Sequence, residues 1–172
     1  MGLKVFGRDS RAFEHAVRSY AGDTYRYAYW LCRDHNRAED IVQESLERAW
    51  RSWADLNDRS AAKSWLFAIV RNEFLRGFDR KVLEMDERDV EEIDPPFEPR
   101  MDVELDVRRA LFALPLSLRE PLMMQVLGGF SCGEIAKTLE TTEGAVMTRL
   151  TRARQALRRL LGGNEGVREM GR

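Results

Sequence analysis

Hydrophobic positions along the chain recur at intervals of three and four, and short alternating β-branched runs bounded by turn dipeptides are missing. The pattern predicts helices throughout and an all-α fold. In the first half, Phe13, Val17, Tyr20, Tyr27 and Leu31 return to one face of a helix that Asp9 or Ser10 can cap, with Gly22 as a weak point where a break can fall. Asn36 followed by Glu39 has capping-box spacing and opens a second helix. That helix has Ile41, Val42, Leu46, Ala49, Trp50 and Trp53 on its buried side and Asp40, Gln43, Glu44, Glu47, Arg48 and Arg51 on the other. A polar connection over 55–62 leads to a third helix running from Lys63 to Arg80. Trp65, Leu66, Ile69 and Phe74 supply its apolar contacts, and Arg71, Asn72, Arg76 and Arg80 its polar reach. Together these helices form a compact bundle.

The second half carries a sharper pattern. Pro115 and Pro121 bracket helix starts, and Ser131 with Glu134 forms an S-x-x-E capping box that opens a short amphipathic helix, GEIAKTL. After a turn at Thr141 and Thr142, Thr142 can cap a longer helix whose Val146, Leu150, Ala153, Leu157 and Leu160 recur at spacings of 4, 3, 4 and 3. At about 100° per residue, the opposite face carries Thr148, Thr151, Arg152, Gln155 and Arg159, with Arg149 at its edge. A short helix, a tight turn and a longer Arg-bearing helix make a helix-turn-helix. Arg149 and Arg152 can present planar forks to guanine or phosphate, and Thr148 can hydrogen-bond either.

Charge sharpens this division. Lys and Arg outnumber Asp and Glu by 15 to 12 over residues 1–81 and by 11 to 6 over 107–172, but are outnumbered by 2 to 11 over 82–106. The net charge of −1 therefore conceals two basic segments, suited to a polyanion such as nucleic acid, around an acidic one. The acidic stretch holds Pro95, Pro96 and Pro99 and reads as a linker over roughly 82–100.

Several function classes drop out. No apolar run approaches the roughly 18 to 20 residues of a membrane span, and Met1–Ser10 lacks the apolar segment of a signal peptide, so the expected compartment is the cytoplasm, without membrane insertion. Cys32 and Cys132 lie far apart with only His15 and His35 to join them, which argues against a disulfide framework or a structural zinc. Cys32 is expected to be buried and Cys132 more exposed. No phosphate loop, HExxH or GxSxG is present, so no enzyme, catalytic residue, cofactor, metal or small-molecule substrate is expected. The acidic linker offers at most a weak divalent-cation site. Taken singly, Asp40, Gln43 and Glu44 read as a solvated surface. Trp50, Trp53 and Trp65 read as core, with stacking on unpaired bases kept open by their Arg and Lys neighbours.

Three ordered blocks carry a family resemblance: AEDIVQESLERAWRSW, SWLFAIVRNEFL, and LPLSLREPLMMQVLGGFSCGEIAKTLETTEGAVMTRLTRARQALRRLL. Over roughly residues 11–161 the chain resembles the extracytoplasmic-function sigma factors of the bacterial sigma-70 family. The resemblance implies a transcription initiation factor of two small helical domains. A sigma2-like domain would span 8–81, an acidic linker 82–104 and a sigma4-like helix-turn-helix domain 105–162. It implies that Asp40, Gln43, Glu44 and Glu47 contact core RNA polymerase. Asn57, Arg59, Lys63 and Trp65 would capture a flipped base of the −10 element, and Arg71, Asn72, Arg76 and Arg80 would hold the nontemplate strand and adjacent duplex. Lys137, Thr142, Thr148, Arg149, Arg152 and Gln155 would serve the −35 element. The implied partners are core polymerase, promoter DNA and an anti-sigma factor, often membrane-bound; free in solution, the two modules are expected to be loosely coupled.

The chain departs from the family pattern at Glu140, where Gly often follows Leu and a left-handed residue is needed, and at Ala145 and Met147, where Thr and Lys are frequent. A −35 consensus therefore does not transfer. Cys132 stands where an aromatic is common. Two other readings compete: a sigma-like decoy that occupies an anti-sigma factor, and an autonomous helix-turn-helix repressor. The retained arginines of the last helix weigh against the first, and the unexplained amino-terminal module against the second.

Overall fold

The computed structural model describes residues 3–82 and 103–162, with side chains placed for 10–77 and 105–162. Most of the acidic linker, and the weak cation site considered within it, lie outside the described residues. Those residues form seven α-helices: α1 (Leu3–Cys32), α2 (His35–Ser52), α3 (Ala62–Val82), α4 (Val103–Ala113), α5 (Leu116–Gly128), α6 (Cys132–Thr138) and α7 (Glu143–Gly162). Two 3-10 turns, Trp53–Asp55 and Arg59–Ala61, lie between α2 and α3. No strand occurs among the described residues.

Several helix ends differ from those the sequence suggests. Asp9 and Ser10 lie inside α1 and do not cap it, and α1 runs through Gly22 without a break. Packing on both sides of Gly22 holds that segment, with Tyr20 part-buried and Tyr27, Ala28 and Leu31 in the core, and such burial outweighs one unfavourable residue. Asp34, rather than Asn36, caps α2: its Oδ1 accepts the Arg37 N–H at 2.7 Å. Only Arg33 and Asp34 separate α1 from α2, and Arg33 makes the reversal with a left-handed φ of 62°. Asn36 and Glu39 consequently fall within the helix. Pro115 is the N-cap of α5, whereas Pro121 lies fully buried inside that helix instead of starting one. Trp53 is in the core as expected, but Trp50 is half exposed at the margin of α2, with its ring edge-on to Phe13 at 5.1 Å. Both cysteines are half-buried, so Cys32 and Cys132 do not differ as expected. Burial raises the Cys32 thiol pKa, which keeps it protonated.

The largest departure concerns how the halves meet. A single apolar cluster joins Tyr27, Leu31, Ile41, Phe67 and Val70 of the first half to Leu114, Leu122, Met124, Phe130, Ile135, Val146 and Leu150 of the second. The expectation of loosely coupled modules is corrected: the two halves share one core. The cause lies in α5. Arg119, Glu120, Pro121, Leu122, Met123 and Met124 are consecutive and all buried, so this helix has no solvent face over those turns. A helix buried all round needs partners on more than one side, and α5 has α1 on one flank and α7 on another. Its C-terminus closes with Gly129 at a φ of 70°, the Gly129 N–H bonded to Gln125 O and the Phe130 N–H to Met124 O. Phe130 folds back over Gly128, where a Cβ would strike its ring, and meets Phe67 of α3 edge-to-face at 4.9 Å.

Two buried charges on α5 complete the seam. The Arg119 guanidinium, 3% exposed, donates to Trp30 O at 2.8 Å and Leu31 O at 3.4 Å at the end of α1, and to Leu114 O at 2.7 Å after α4. It thus satisfies carbonyls that helix ends leave open. Burial, assisted by the nearby Arg33 cation, lowers its pKa to about 10, which leaves it charged at neutral pH. Glu120 accepts from Arg71 Nε at 2.8 Å and from the Tyr27 hydroxyl at 3.2 Å.

Candidate nucleic-acid and partner interfaces

The four side chains assigned to a protein partner form one surface. Ala38, Ile41, Ser45 and Ala49 turn the buried side of α2 inward, and helical spacing then sends Asp40, Gln43, Glu44 and Glu47 outward, where all four are exposed. Glu47 makes only a long ion pair with Arg51, 3.7 Å across exposed surface. The result is a solvent-facing acidic stripe on a rigid helix.

The connection between α2 and α3 is built from local polar bonds. Asp58 accepts from the backbone N–H and hydroxyl of Ser60 at 2.9 and 2.6 Å, contacts that hold its carboxyl below the usual range. Asn57 is exposed, and Arg59, also exposed, donates to Trp53 O at 2.6 Å with its guanidinium 4.1 Å from the centre of the Trp53 ring. Trp65 is half-buried against Trp53, with ring centres 5.8 Å apart. Lys63 pairs with Asp23 at 3.5 Å and lies 5.8 Å from both the Tyr20 and Phe130 rings. A cleft of about 420 Å³ opens here, lined by Tyr20, Ser60 and Lys63 of the first half and Gly129, Phe130 and Glu134 of the second.

Along α3 the predicted strand-holding set is divided. Asn72 and Arg76 are exposed, Arg76 bonding Glu73 at 3.3 Å, and the buried Glu73 carboxylate is also paired with Arg48 of α2. Arg71 faces the second module, its side chain 16% exposed and bound to Glu120. The side chain of Arg80 lies outside the described residues.

The helix-turn-helix is formed by α6, the turn and α7. Ser131 and Glu134 make the full reciprocal capping box, with the Ser131 N–H donating to Glu134 at 2.8 Å. Glu140 takes the left-handed conformation, φ 52°, that its place after Leu139 demands. The Thr142 hydroxyl accepts the Ala145 N–H at 3.1 Å and so caps α7. Val146, Leu150 and Ala153 bury the inner stripe, leaving Thr148, Arg152 and Gln155 exposed on the outer one; Lys137 is exposed on α6 and Arg149 is half-buried at the edge. Thr148, Arg152 and Gln155 thus share the outer face of α7, with Thr142 exposed at its cap. Arg154 is turned away from that set, paired with Gln125 of α5.

Two residues with evident structural roles escaped the sequence reading, Arg119 and Glu120. Their one signal was position: a charged dipeptide directly ahead of the apolar run PLMMQVL, which has no polar face of its own.

Among the described residues no helix is long and apolar enough to cross a membrane, and no cluster of His, Cys, Asp or Glu has metal-site geometry. The sequence matches the family Sigma-70 region 2 over residues 16–82 and Sigma-70, region 4 over residues 104–157. It is similar to the ECF RNA polymerase sigma factor SigM of Mycobacterium tuberculosis, 31% identical over 156 residues that cover 90% of this chain and 79% of SigM. Two solved structures resemble the whole arrangement. One is the sigma factor RpoE of Bartonella quintana in complex with the anti-sigma factor NepR, at TM-score 0.71, 28% identity and coverage of 87% of this chain and 96% of RpoE. The other is CnrH in complex with the cytosolic domain of CnrY, at TM-score 0.66 and 25% identity, covering 90% of each chain. With both sigma regions matched in order, and an ECF relative aligned over 90% of this chain, the chain belongs to the ECF sigma factors of the sigma-70 family.

Proposed function

We propose that the chain directs promoter-specific initiation by docking on core RNA polymerase through the acidic stripe of α2 and reading two promoter elements with its two modules. In this reading the region 8–81 captures the melted −10 element: Asn57, Arg59, Lys63 and Trp65 take the flipped base, Lys63 from the wall of the cleft beside the α2–α3 connection, while Arg71, Asn72, Arg76 and Arg80 hold the nontemplate strand. The region 105–162 reads the −35 element with Thr148, Arg149, Arg152 and Gln155, while Lys137 and Thr142 meet phosphate. The segment 82–104 bridges them. The observation that carries the proposal is the capped α7, which presents Thr148, Arg152 and Gln155 on one exposed face, following an α6 that carries the exposed Lys137. Melting requires no chemistry from the protein, because stacking and phosphate contacts offset the few kcal/mol of unstacking. The factor is a binding protein, not an enzyme.

Control by an anti-sigma partner, membrane-attached or free, belongs to the same proposal. Its support is the likeness of the whole arrangement to RpoE held by NepR. The test is run-off transcription from genomic fragments by bacterial core polymerase with and without the purified protein. Discrete transcripts that depend on the protein are expected; their absence on every fragment rejects the proposal.

A further inference from the structure

Glu120 is the point where the second module holds a cation of the first. The residue is 7% exposed and sits on α5 of the second module, and its carboxylate accepts from Arg71 of α3 and from Tyr27 of α1. Arg149, at the edge of the reading helix, lies close enough for its charge to act on Glu120 as well. A carboxylate and a phosphate oxygen are interchangeable partners for a guanidinium fork. While Arg71 is bound to Glu120 it has no free Nε donor for a DNA backbone.

We propose that Glu120 is an internal phosphate substitute that latches the free protein closed and withholds Arg71 from single-stranded DNA until the modules separate. The inference rests on the role given to α3 under Proposed function, and adds to it a named competitor for one of its residues.

Two further observations support closure as an inhibited state. The cleft beside Lys63, one of the residues assigned to the flipped base, is lined also by Gly129, Phe130 and Glu134 of the second module, so in the closed form the second module shares the space next to that residue. The seam is also apolar, with Phe130 edge-on to Phe67, so Glu120 and Arg71 close together inside a poorly solvated layer. A buried ion pair of this kind adds little to net stability compared with an apolar replacement. It is highly sensitive, however, to loss of one partner, which strands the other charge without water. It therefore serves as a two-position device: Arg71 is satisfied either by Glu120 in the closed form or by phosphate in the open one. Any ligand that separates the modules, and any ligand that binds only the closed form, biases that equilibrium in opposite directions.

The test uses the full chain without polymerase. Glu120→Gln keeps the side-chain volume and removes the charge; Tyr27→Phe removes only one hydroxyl and serves as the milder variant should Glu120→Gln not fold. Binding of fluorescein-labelled single-stranded DNA of random sequence is followed by anisotropy over a salt series. Glu120→Gln is expected to bind about tenfold more tightly than the unaltered protein and to steepen the salt dependence by about 0.7, the increment for one additional phosphate contact on a single strand. Tyr27→Phe is expected to move both readouts in the same direction by less. Folded variants with unaltered affinity and salt slope overturn the latch. Run-off transcription with core polymerase separates this failure from that of the wider reading: protein-dependent transcripts with unaltered DNA binding in both variants remove the latch alone. Tighter DNA binding by Glu120→Gln with no transcript from any promoter removes the initiation role and leaves the latch standing.

Discussion

The two cation-bearing helices, α3 and α7, share a design and differ in what occupies them. On α7 the inner stripe of Val146, Leu150 and Ala153 is buried, and Thr148, Arg152 and Gln155 face water with no acidic partner among the described residues. On α3, Phe67 meets Phe130 of the other module, and four residues on, Arg71 is bound to Glu120 of that module. The first helix presents its polar face to solvent; the second is engaged by the protein itself. A residue's exposure in a multi-module chain thus depends on the partner module as well as on the helix that bears it.

The difference can be broken most drastically at the seam. Phe67 is fully buried, stacked on Tyr27 at 4.8 Å and edge-on to Phe130, so Phe67→Ala is expected to cost about 3–5 kcal/mol. Urea unfolding followed by circular dichroism should show that loss, with the single transition of a shared core splitting into two. One undivided transition would argue that the modules are coupled elsewhere.

A smaller effect sharpens the contrast directly. Arg152→Ala on the open helix should weaken duplex promoter binding by about 1–3 kcal/mol, by the same amount in free protein and in holoenzyme. Arg71→Ala should weaken strand binding in holoenzyme only, since in the free protein Arg71 already has a partner. Filter binding in both states checks the pair. Next comes Thr142→Ala, which removes the cap of α7 and should cost about 1 kcal/mol of stability, visible as a lower urea midpoint with strand binding by α3 unaffected.

The smallest effects are in pH dependence, where Glu120 and Glu134 should act with opposite signs. Bonds from the Ser131 backbone N–H and hydroxyl hold the exposed Glu134 below the usual carboxylate range. The folded form therefore binds that proton less tightly than the unfolded one. Its contribution is complete above about 4.3 and is lost as pH falls through the lowered value. Burial raises Glu120 despite the opposing Arg71 cation. There the folded form binds the proton more tightly, and stability declines as pH rises from the ordinary value through the raised one. Urea midpoints measured across the acid range should show Glu134→Gln flattening the low-pH loss and Glu120→Gln flattening the decline above it.

Helix content, and the helix-turn-helix in particular, could be read from the chain because both depend on local chemistry. Ser131 with Glu134 and Thr142 ahead of α7 are bonds between residues three apart, which spacing alone reveals. The exposed stripe of α2 followed from the same periodicity. What could not be read was long-range. The cap of α2 moved to Asp34 because the turn is shorter than the polar residues suggested. Gly22 failed to break α1 because packing on both sides holds it. The union of the modules depends on α5, whose apolar residues leave no polar face, and on Glu120 meeting Arg71 across 49 positions of sequence. Counting charge by segment could not pair Arg71 with Glu120, because a single acidic residue in the other module does not register in a local balance.

The central claim is that the free protein is closed and opens on the transcription machinery. The most direct measurement is the distance between fluorophores on the two modules, attached at Arg18→Cys and Arg158→Cys after both native cysteines are replaced by alanine; Arg18 and Arg158 are exposed. A single narrow distance in the free protein, replaced by a longer one when core polymerase is added, is the predicted result. A broad distribution in the free protein, or a distance unchanged by polymerase, would contradict it.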